Sequence, residues 1–341
     1  MAVLARLRRL GQACVEGQRI AYSGAREDPE QIAAQIEQRI FAAGEQAAAS
    51  SGYRSAKEVL REVVEEVDGR YTGTRDHGMT TGLVDLDRQL GGLEPGQLII
   101  VGARPAMGKS AFALGVALHV AALGRAVVLH SLEMGATELM QRACAIKASV
   151  SLQAIRTGRL AAEQWPALSS AVQDLAELPL HIDDSGAIRP SELASRCRRR
   201  KRQAGDLGLV VVDYLQLMVP DRGRRSDNRV NELTAISASL KGLAKELHCP
   251  VIALSQLNRS LEHRPNKRPT LADLRESGSI EQDADIVLMI YRDAIYNEDS
   301  KDKGVAEIII AKQRNGPIGT IKTVFMDETT RFANHTTMGA T

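Results

Sequence analysis

Residues 103–110 read ARPAMGKS, a spacing suited to holding phosphate. The form is A-x-x-x-x-G-K-S, a Walker A pattern with Ala103 where glycine is commoner. The stretch Arg104-Pro105-Ala106-Met107-Gly108 would wrap a polyphosphate, with main-chain N–H groups and a helix N-terminus aimed at one point. Lys109 would reach the outer phosphates, and the Ser110 hydroxyl would bind the magnesium that bridges them. Such an octapeptide arises by chance in roughly a few per cent of chains this long. Its setting lowers that further. The apolar run Leu98-Ile99-Ile100-Val101 reads as a buried strand before it, and the small-residue stretch 110–123 as a helix after it. A nucleotide site outweighs a structural turn.

Other polar residues stand where chemistry is possible. Leu209-Val210-Val211-Val212-Asp213 reads as a central strand ending in an acid, the position from which phosphate-loop ATPases hold magnesium. Glu133, in HSLEM, follows the strand AVVLHS. A carboxylate there could polarise an attacking water, or simply favour a helix dipole; spacing does not decide. Gln256 and Asn258 follow another apolar strand and could sense a γ-phosphate or close a turn. The segment DLRESGSIEQDAD, 273–285, carries Gly278 and could grip a phosphodiester backbone or be an ordinary loop. Lys312 and Arg314 precede an Asn-Gly-Pro turn. They could complete an ATP site across a subunit boundary, although two solvated cations beside a hairpin is the commoner arrangement.

The elements that must position these residues follow from hydrophobic pattern. Strands are predicted at 98–101, 126–131, 179–183, 208–213, 250–255, 285–291, 305–311 and 319–326, several as continuous apolar runs covered on both faces. Helices are predicted near 110–122, 134–149, 161–177, 190–204 and 229–247. The alternation predicts an α/β domain with a mainly parallel sheet. Upstream, Ile32, Ile36 and Ile40 recur at helical spacing in 29–43. In 55–71, Leu60, Val63, Val64, Val67 and Tyr71 form an apolar stripe opposite Glu58, Glu62, Glu65 and Glu66. One amphipathic helix between Gly/Ser/Thr-rich tethers must dock its stripe on its own core or on a neighbouring subunit.

The chain has 341 residues, 44% hydrophobic and 25% charged, with a net charge of +2. Locally, RCRRRKR at 196–202 and DRGRRSDNR at 221–229 are basic, whereas 58–68 is acidic; such runs are usually solvated faces. One Trp, six Tyr and four Phe argue against stacking nucleic-acid bases on aromatic platforms. Any DNA would be held by its backbone. Four well-separated cysteines, the absence of a signal-peptide core and the lack of a bilayer-length apolar stretch point to a cytoplasmic protein with reduced thiols and no membrane partner.

Together, GARPAMGKSAFAL, HSLEM, IRTGRL, VVVDYLQLM, SDNRVNEL, KELHCPVIALSQLNRSLE, DLRESGSIEQDADIVLMIYRD and EIIIAKQRNGPIGT resemble the replicative DNA helicases of the DnaB type, in family order from about Gly82 to Phe332. The resemblance implies a RecA-like P-loop ATPase domain at 80–335. It implies a remnant of an N-terminal helical domain at 1–50 and a linker at 51–79 whose amphipathic helix docks on a neighbouring subunit. A tail at 336–341 follows. Most of the family's globular N-terminal collar is expected to be absent.

The implied function is ATP- and Mg2+-dependent 5′–3′ translocation on single-stranded DNA and unwinding of forked DNA as a ring homo-hexamer, with a helicase loader and primase as further partners. By motif, Lys109 and Ser110 would bind phosphate and magnesium, and Asp213 would be the Walker B acid. Glu133 would be the catalytic base, and Gln256 would couple nucleotide state to DNA. Lys312 and Arg314 would act in trans, and Arg275, Glu276 and Gly278 would belong to the DNA-binding loop. The competing expectation is a non-translocating, ATP-gated DNA-binding or assembly protein of the same fold.

Overall fold

A computed structural model describes residues 2–23, 29–45, 55–72, 78–221 and 229–335. The expected tail 336–341, the stretches 46–54 and 73–77 around the linker helix, and residues 222–228 of the basic run lie outside the described residues. The chain divides into two compact units, residues 1–76 with 191–196 and residues 77–190 with 197–341.

In the first unit, α1 (Ala2–Ser23) and α2 (Pro29–Glu45) pack together. Gly17 permits the close approach, since a Cβ there would lie 3.1 Å from Ile36 Cγ2. Arg39 and Glu16 pair at 2.9 Å. Helix α1 has no counterpart among the predicted helices; arginines interrupt its apolar pattern. The third helix, α3 (Ala56–Tyr71), opens on a capping box. Ser55 Oγ accepts from the Glu58 N–H at 3.3 Å, and Glu58 Oε2 accepts from the Ser55 N–H at 3.1 Å. The predicted stripe on α3 is exposed, with Leu60 61% and Val64 65% accessible.

The second unit is an α/β domain. Its elements run α4 (Val84–Leu90), β1 (Leu98–Ala103), α5 (Lys109–Ala122), β2 (Val127–Ser131), α6 (Ala136–Ala148), α7 (Leu152–Thr157), α8 (Gln164–Ala176), β3 (Leu180–Asp183) and α9 (Pro190–Ala204), of which residues 191–196 group with the first unit. They continue with β4 (Leu209–Asp213), α10 (Arg229–Leu247), β5 (Val251–Gln256), α11 (Gly278–Asp283), β6 (Ile286–Tyr291), β7 (Val305–Gln313), β8 (Gly319–Met326) and β9 (Arg331–Asn334). One nine-stranded sheet takes the order β3-β2-β4-β5-β1-β6-β7-β8-β9. The first six in that order are parallel, and the last three join antiparallel. Every predicted strand is present. The short β9 is an addition whose four residues are all partly or fully exposed.

Burial explains the apolar runs. Every residue of β1, β2, β4 and β6 is buried, as expected for strands with helices on both faces. Helix α5 buries nine of its residues, so its Ala-rich sequence lets it lie close to the sheet. All four cysteines are free thiols, and burial pushes the Cys197 thiol up to about 12, leaving it unreactive at neutral pH. Among the described residues no helix is long and apolar enough to cross a membrane.

Ile252, in β5 between β4 and β1, is 1% exposed. Ile252→Ala is expected to cost about 2–5 kcal/mol through lost burial and a residual cavity, measured by denaturant unfolding of the chain. A cost below about 1 kcal/mol would mean that the sheet collapses around the gap.

Candidate functional site

Six parallel strands present their carboxyl ends on one edge of the sheet, where ligands of such sheets bind. The loop 103–108 leaves β1 there, flanked by β5 and β6. Its path needs special residues. Ala106 has φ +66° and Gly108 has φ +96°. A Cβ on Gly108 would also lie 2.9 Å from Phe325 Cε2 and 3.1 Å from Phe332 Cε2. Phe325 of β8 and Phe332 of β9 meet edge to face at 4.9 Å, and Phe332 meets Phe112 of α5 at 5.7 Å. The antiparallel strands therefore press an aromatic wall against the loop.

Helix α5 begins at Lys109, and Gly108 caps it without a side-chain hydrogen bond. The N–H groups of Gly108, Lys109, Ser110 and Ala111 open the helix and have no intrahelical acceptor, an anion-binding arrangement. A cleft of about 360 Å³ lies beside them, lined by Lys109, Ser110, Glu133, Gln256, Arg292 and Asp327 among others.

Lys109 crosses the cleft floor. Its Nζ lies 3.3 Å from Asp213 Oδ1, 4.0 Å from Glu133 Oε2 and 3.9 Å from the centre of the Tyr214 ring. Burial lowers its pKa, opposed by the charges of Asp213 and Glu133. Asp213, at the end of β4, is 3% exposed, and its Oδ1 has no aligned hydrogen-bond donor despite the nearby ammonium. Such an oxygen fits a hard cation or its water shell. No group of three or more His, Cys, Asp or Glu that could cage a metal occurs among the described residues. The donor set, one hydroxyl and one carboxylate, instead fits Mg2+ held jointly by protein and phosphate.

The loop residues divide between side chain and main chain. Arg104 is turned inward, donating from Nε to Glu262 Oε1 at 2.8 Å and from Nη1 to the Leu257 carbonyl at 2.8 Å. Met107 is 2% exposed and belongs to the core. At these two positions the peptide groups, rather than the side chains, are what the cleft can use. Pro105, Ala106 and Gly108 line it directly. Glu133 stands just past β2 with half its side chain exposed. Gln256 ends β5, and its N–H and carbonyl both bond the Gln216 side chain, which also donates to Ser255 Oγ at 3.0 Å.

Lys312 and Arg314 are elsewhere. On β7, Gln313 pairs with Ile286, which pairs with Ile99 near the start of β1. The loop leaves the other end of β1, roughly 13 Å further along the strand. A bulge at Ala311 precedes Lys312, because Lys312 pairs with Val287 whereas Ile310 pairs with Leu288. Lys312 Nζ bonds the carbonyls of Glu281 and Ala284, and burial lowers its pKa, Arg314 next in effect. Arg314 Nη2 donates to the Gln282 carbonyl at 2.7 Å. Arg275 and Glu276 lie in the 3₁₀ turn Leu271–Ser277, and Gly278 begins α11; their side chains are outside the described residues.

The cleft also holds residues that the sequence did not single out. Arg292, one residue beyond β6, donates to Asp327 Oδ1 at 2.6 Å and to the Ala106 carbonyl at 3.4 Å, and lies 3.9 Å from the Phe325 ring centre. Its signal was available: a charge directly after a buried strand, at the ligand-binding edge. Arg142 of α6 also lines the cleft, with Nε buried and unbonded. Nothing local marks it.

Residues 78–334 match the DnaB-like helicase C-terminal domain. The chain belongs to the DnaB-like helicase family. It is 46% identical over 292 residues to the replicative DNA helicase DnaB of Geobacillus stearothermophilus, covering 84% of this chain and 63% of that protein. The chain thus spans less than two thirds of that relative's length. Among solved structures, an isolated ATPase domain superposes with a TM-score of 0.79 at 39% identity, covering 84% of this chain and all of that one. A DnaB-like replicative helicase described with its primase interactions reaches 0.82 at 35% identity, covering 97% of this chain and 76% of that one. These neighbours share the RecA-like ATPase fold of the second unit.

Gly108→Ala tests the aromatic wall. Left-handed backbone and a short Cβ contact are expected to cost about 1–3 kcal/mol, read as a lower midpoint in thermal or denaturant unfolding. An unchanged midpoint would show that the loop relaxes away from Phe325.

Proposed function

We propose that this chain is the motor of an ATP-dependent replicative DNA helicase, working as a ring homo-hexamer in the bacterial cytoplasm. The observation that carries the reading is the separation of its two cationic sites. Lys312 and Arg314 lie at the end of the sheet opposite the phosphate loop. They cannot serve their own subunit's nucleotide, so they have a role in ATP chemistry only if a second copy supplies the loop.

In this reading the loop 104–108 and the first turn of α5 hold the ATP phosphates, and Lys109 leaves Asp213 to meet the outer ones. Ser110 and Asp213 would hold Mg2+, which would supply neutralisation of phosphate charge. Glu133, beside Lys109 at the mouth of the cleft, takes the proton from the attacking water. Charge developing on the transferred phosphoryl group is met by Lys312 and Arg314 of the neighbour, as an arginine finger does. Gln256, at the tip of a strand adjacent to β1, passes the change onward. Arg275, Glu276 and Gly278 belong to the loop that grips single-stranded DNA by its backbone, so binding depends weakly on sequence and strongly on salt.

Residues 1–50 are read as part of an N-terminal helical domain and 51–79 as the linker. The exposed stripe of α3 suits docking on an adjacent subunit. Forked DNA, a helicase loader and primase are the further partners, and travel is 5′ to 3′ on the encircled strand.

Strand displacement from forked DNA with ATP and Mg2+ is the direct test, with Lys109→Ala as control. Displacement lost in the variant is expected; an inactive wild-type chain that still hydrolyses ATP would favour an ATP-gated assembly role. Arg314→Ala is expected to lower turnover by about 10³-fold or more while nucleotide binding is retained. Unchanged turnover would remove the trans-acting role.

A further inference from the structure

Asp285 sits between the segment 271–283 and β6, where the two expected trans-acting cations are held. It is buried, 8% exposed, and every polar group of it is engaged. Its carboxylate Oδ2 accepts from the Leu98 N–H at 2.8 Å and from Lys241 Nζ at 2.5 Å. Its Oδ1 lies 3.4 Å from Arg314 Nε. The main chain repeats the pattern, with Asp285 N–H donating to the Leu98 carbonyl at 2.9 Å and its own carbonyl accepting from the Arg314 N–H at 3.0 Å. Three elements thus meet at one residue: the start of the strand that carries the phosphate loop, helix α10, and the tip of β7.

Arg314 is half exposed, so without guidance its guanidinium would sample many rotamers. Two contacts restrict it. The carboxylate of Asp285 engages Nε, and the Gln282 carbonyl accepts from Nη2. Both acceptors belong to the chain that runs directly out of the turn carrying Arg275 and Glu276. The bulge at Ala311 re-aims the strand locally, bringing Arg314 to these acceptors and Lys312 to the neighbouring carbonyls of Glu281 and Ala284.

We propose that Asp285 is a positioning residue for Arg314. It fixes the direction in which the guanidinium leaves β7 and ties that direction to the segment running into the DNA loop. The proposal rests on the trans-acting reading of Arg314. It assigns to Asp285 no contact with nucleotide. Lys241, on the other carboxylate oxygen, ties Asp285 to α10 and donates as well to the Gly96 carbonyl at 2.8 Å; its expected part is in stability.

Asp285→Asn keeps the side-chain volume and an acceptor for the Leu98 N–H, and removes the charge that orients Arg314. Turnover per nucleotide-binding site, counted with a fluorescent ATP analogue, is expected to fall about tenfold, as when outer-shell partners are removed. The KM for ATP should stay within about twofold. In an Arg314→Ala background the same substitution should cause no further loss of turnover. Mixing Asp285→Asn subunits with Lys109→Ala subunits should restore turnover above either alone, since the second supplies a guided Arg314 to the intact loop of the first.

Outcomes separate the two readings. If Arg314→Ala is not rescued by Lys109→Ala subunits, the trans reading fails. If Arg314→Ala is rescued but Asp285→Asn turns over normally per site, or adds to Arg314→Ala, the positioning role fails. Lys241→Met distinguishes mere folding: it should lower thermal stability and leave turnover per site within about twofold. Turnover reduced as far as in Asp285→Asn would overturn the proposal in favour of a structural ion pair. Should Asp285→Asn not assemble, Asp285→Glu provides the same reading, with turnover retained expected and turnover lost with assembly intact overturning it.

Discussion

Lys109 and Asp213 are opposite charges withdrawn from water and held 3.3 Å apart, with 12% and 4% of their side chains exposed. An isolated buried charge is costly, and removing one partner of such a pair strands the other. The pair is therefore tolerable only where each charge has a counter-ion in hand or on the way. That constraint fixes much of the surrounding architecture. The loop must leave β1 at the level where β4 ends, β5 must stand between them, and α5 must start at Lys109 itself. A nucleotide phosphate arriving at the loop would draw Lys109 from Asp213, so the contact that pairs these two charges is the one a nucleotide exchanges.

The sheet works as a spacer as much as a core. Its fully buried parallel strands keep the loop at one end and the Lys312–Arg314 tip at the other, and neither end can drift without breaking the ladder between them. Polar groups at the far end are satisfied by main-chain carbonyls at the close of α11 and by Asp285, not by solvent alone. Chemistry at one end and its proposed partner at the other thus follow from strand order, a property of topology rather than of any single motif.

What could be read in advance follows the same division. The phosphate loop, its strand and its helix are local, and ARPAMGKS with the runs LIIV and LVVVD locates Lys109, Ser110 and Asp213 without a fold. Glu133 and Gln256 were ambiguous because a polar residue after a strand has several uses; only the strand order brings both to one cleft. Lys312 and Arg314 looked like solvated cations beside a hairpin, and their separation from the loop depends on the register of β6 with β1 and β7. Arg292, Phe325 and Phe332 reach the loop from strands far along the chain, so no window of sequence contains that contact. Helix α1 escapes the pattern because its arginines break the apolar period, and β9 because four partly or fully exposed residues carry no periodic signal.

The aromatic wall has a bearing on how the molecule is made. Ribosomal synthesis proceeds from the N-terminus, so the phosphate loop and α5 emerge long before β8 and β9. Until Phe325 and Phe332 have left the ribosome and closed against Gly108, the loop lacks one of its walls. A nascent chain can carry the whole nucleotide motif and still be unable to hold it in shape. Premature termination between β6 and β8 would leave a P-loop in sequence without the surface that shapes it.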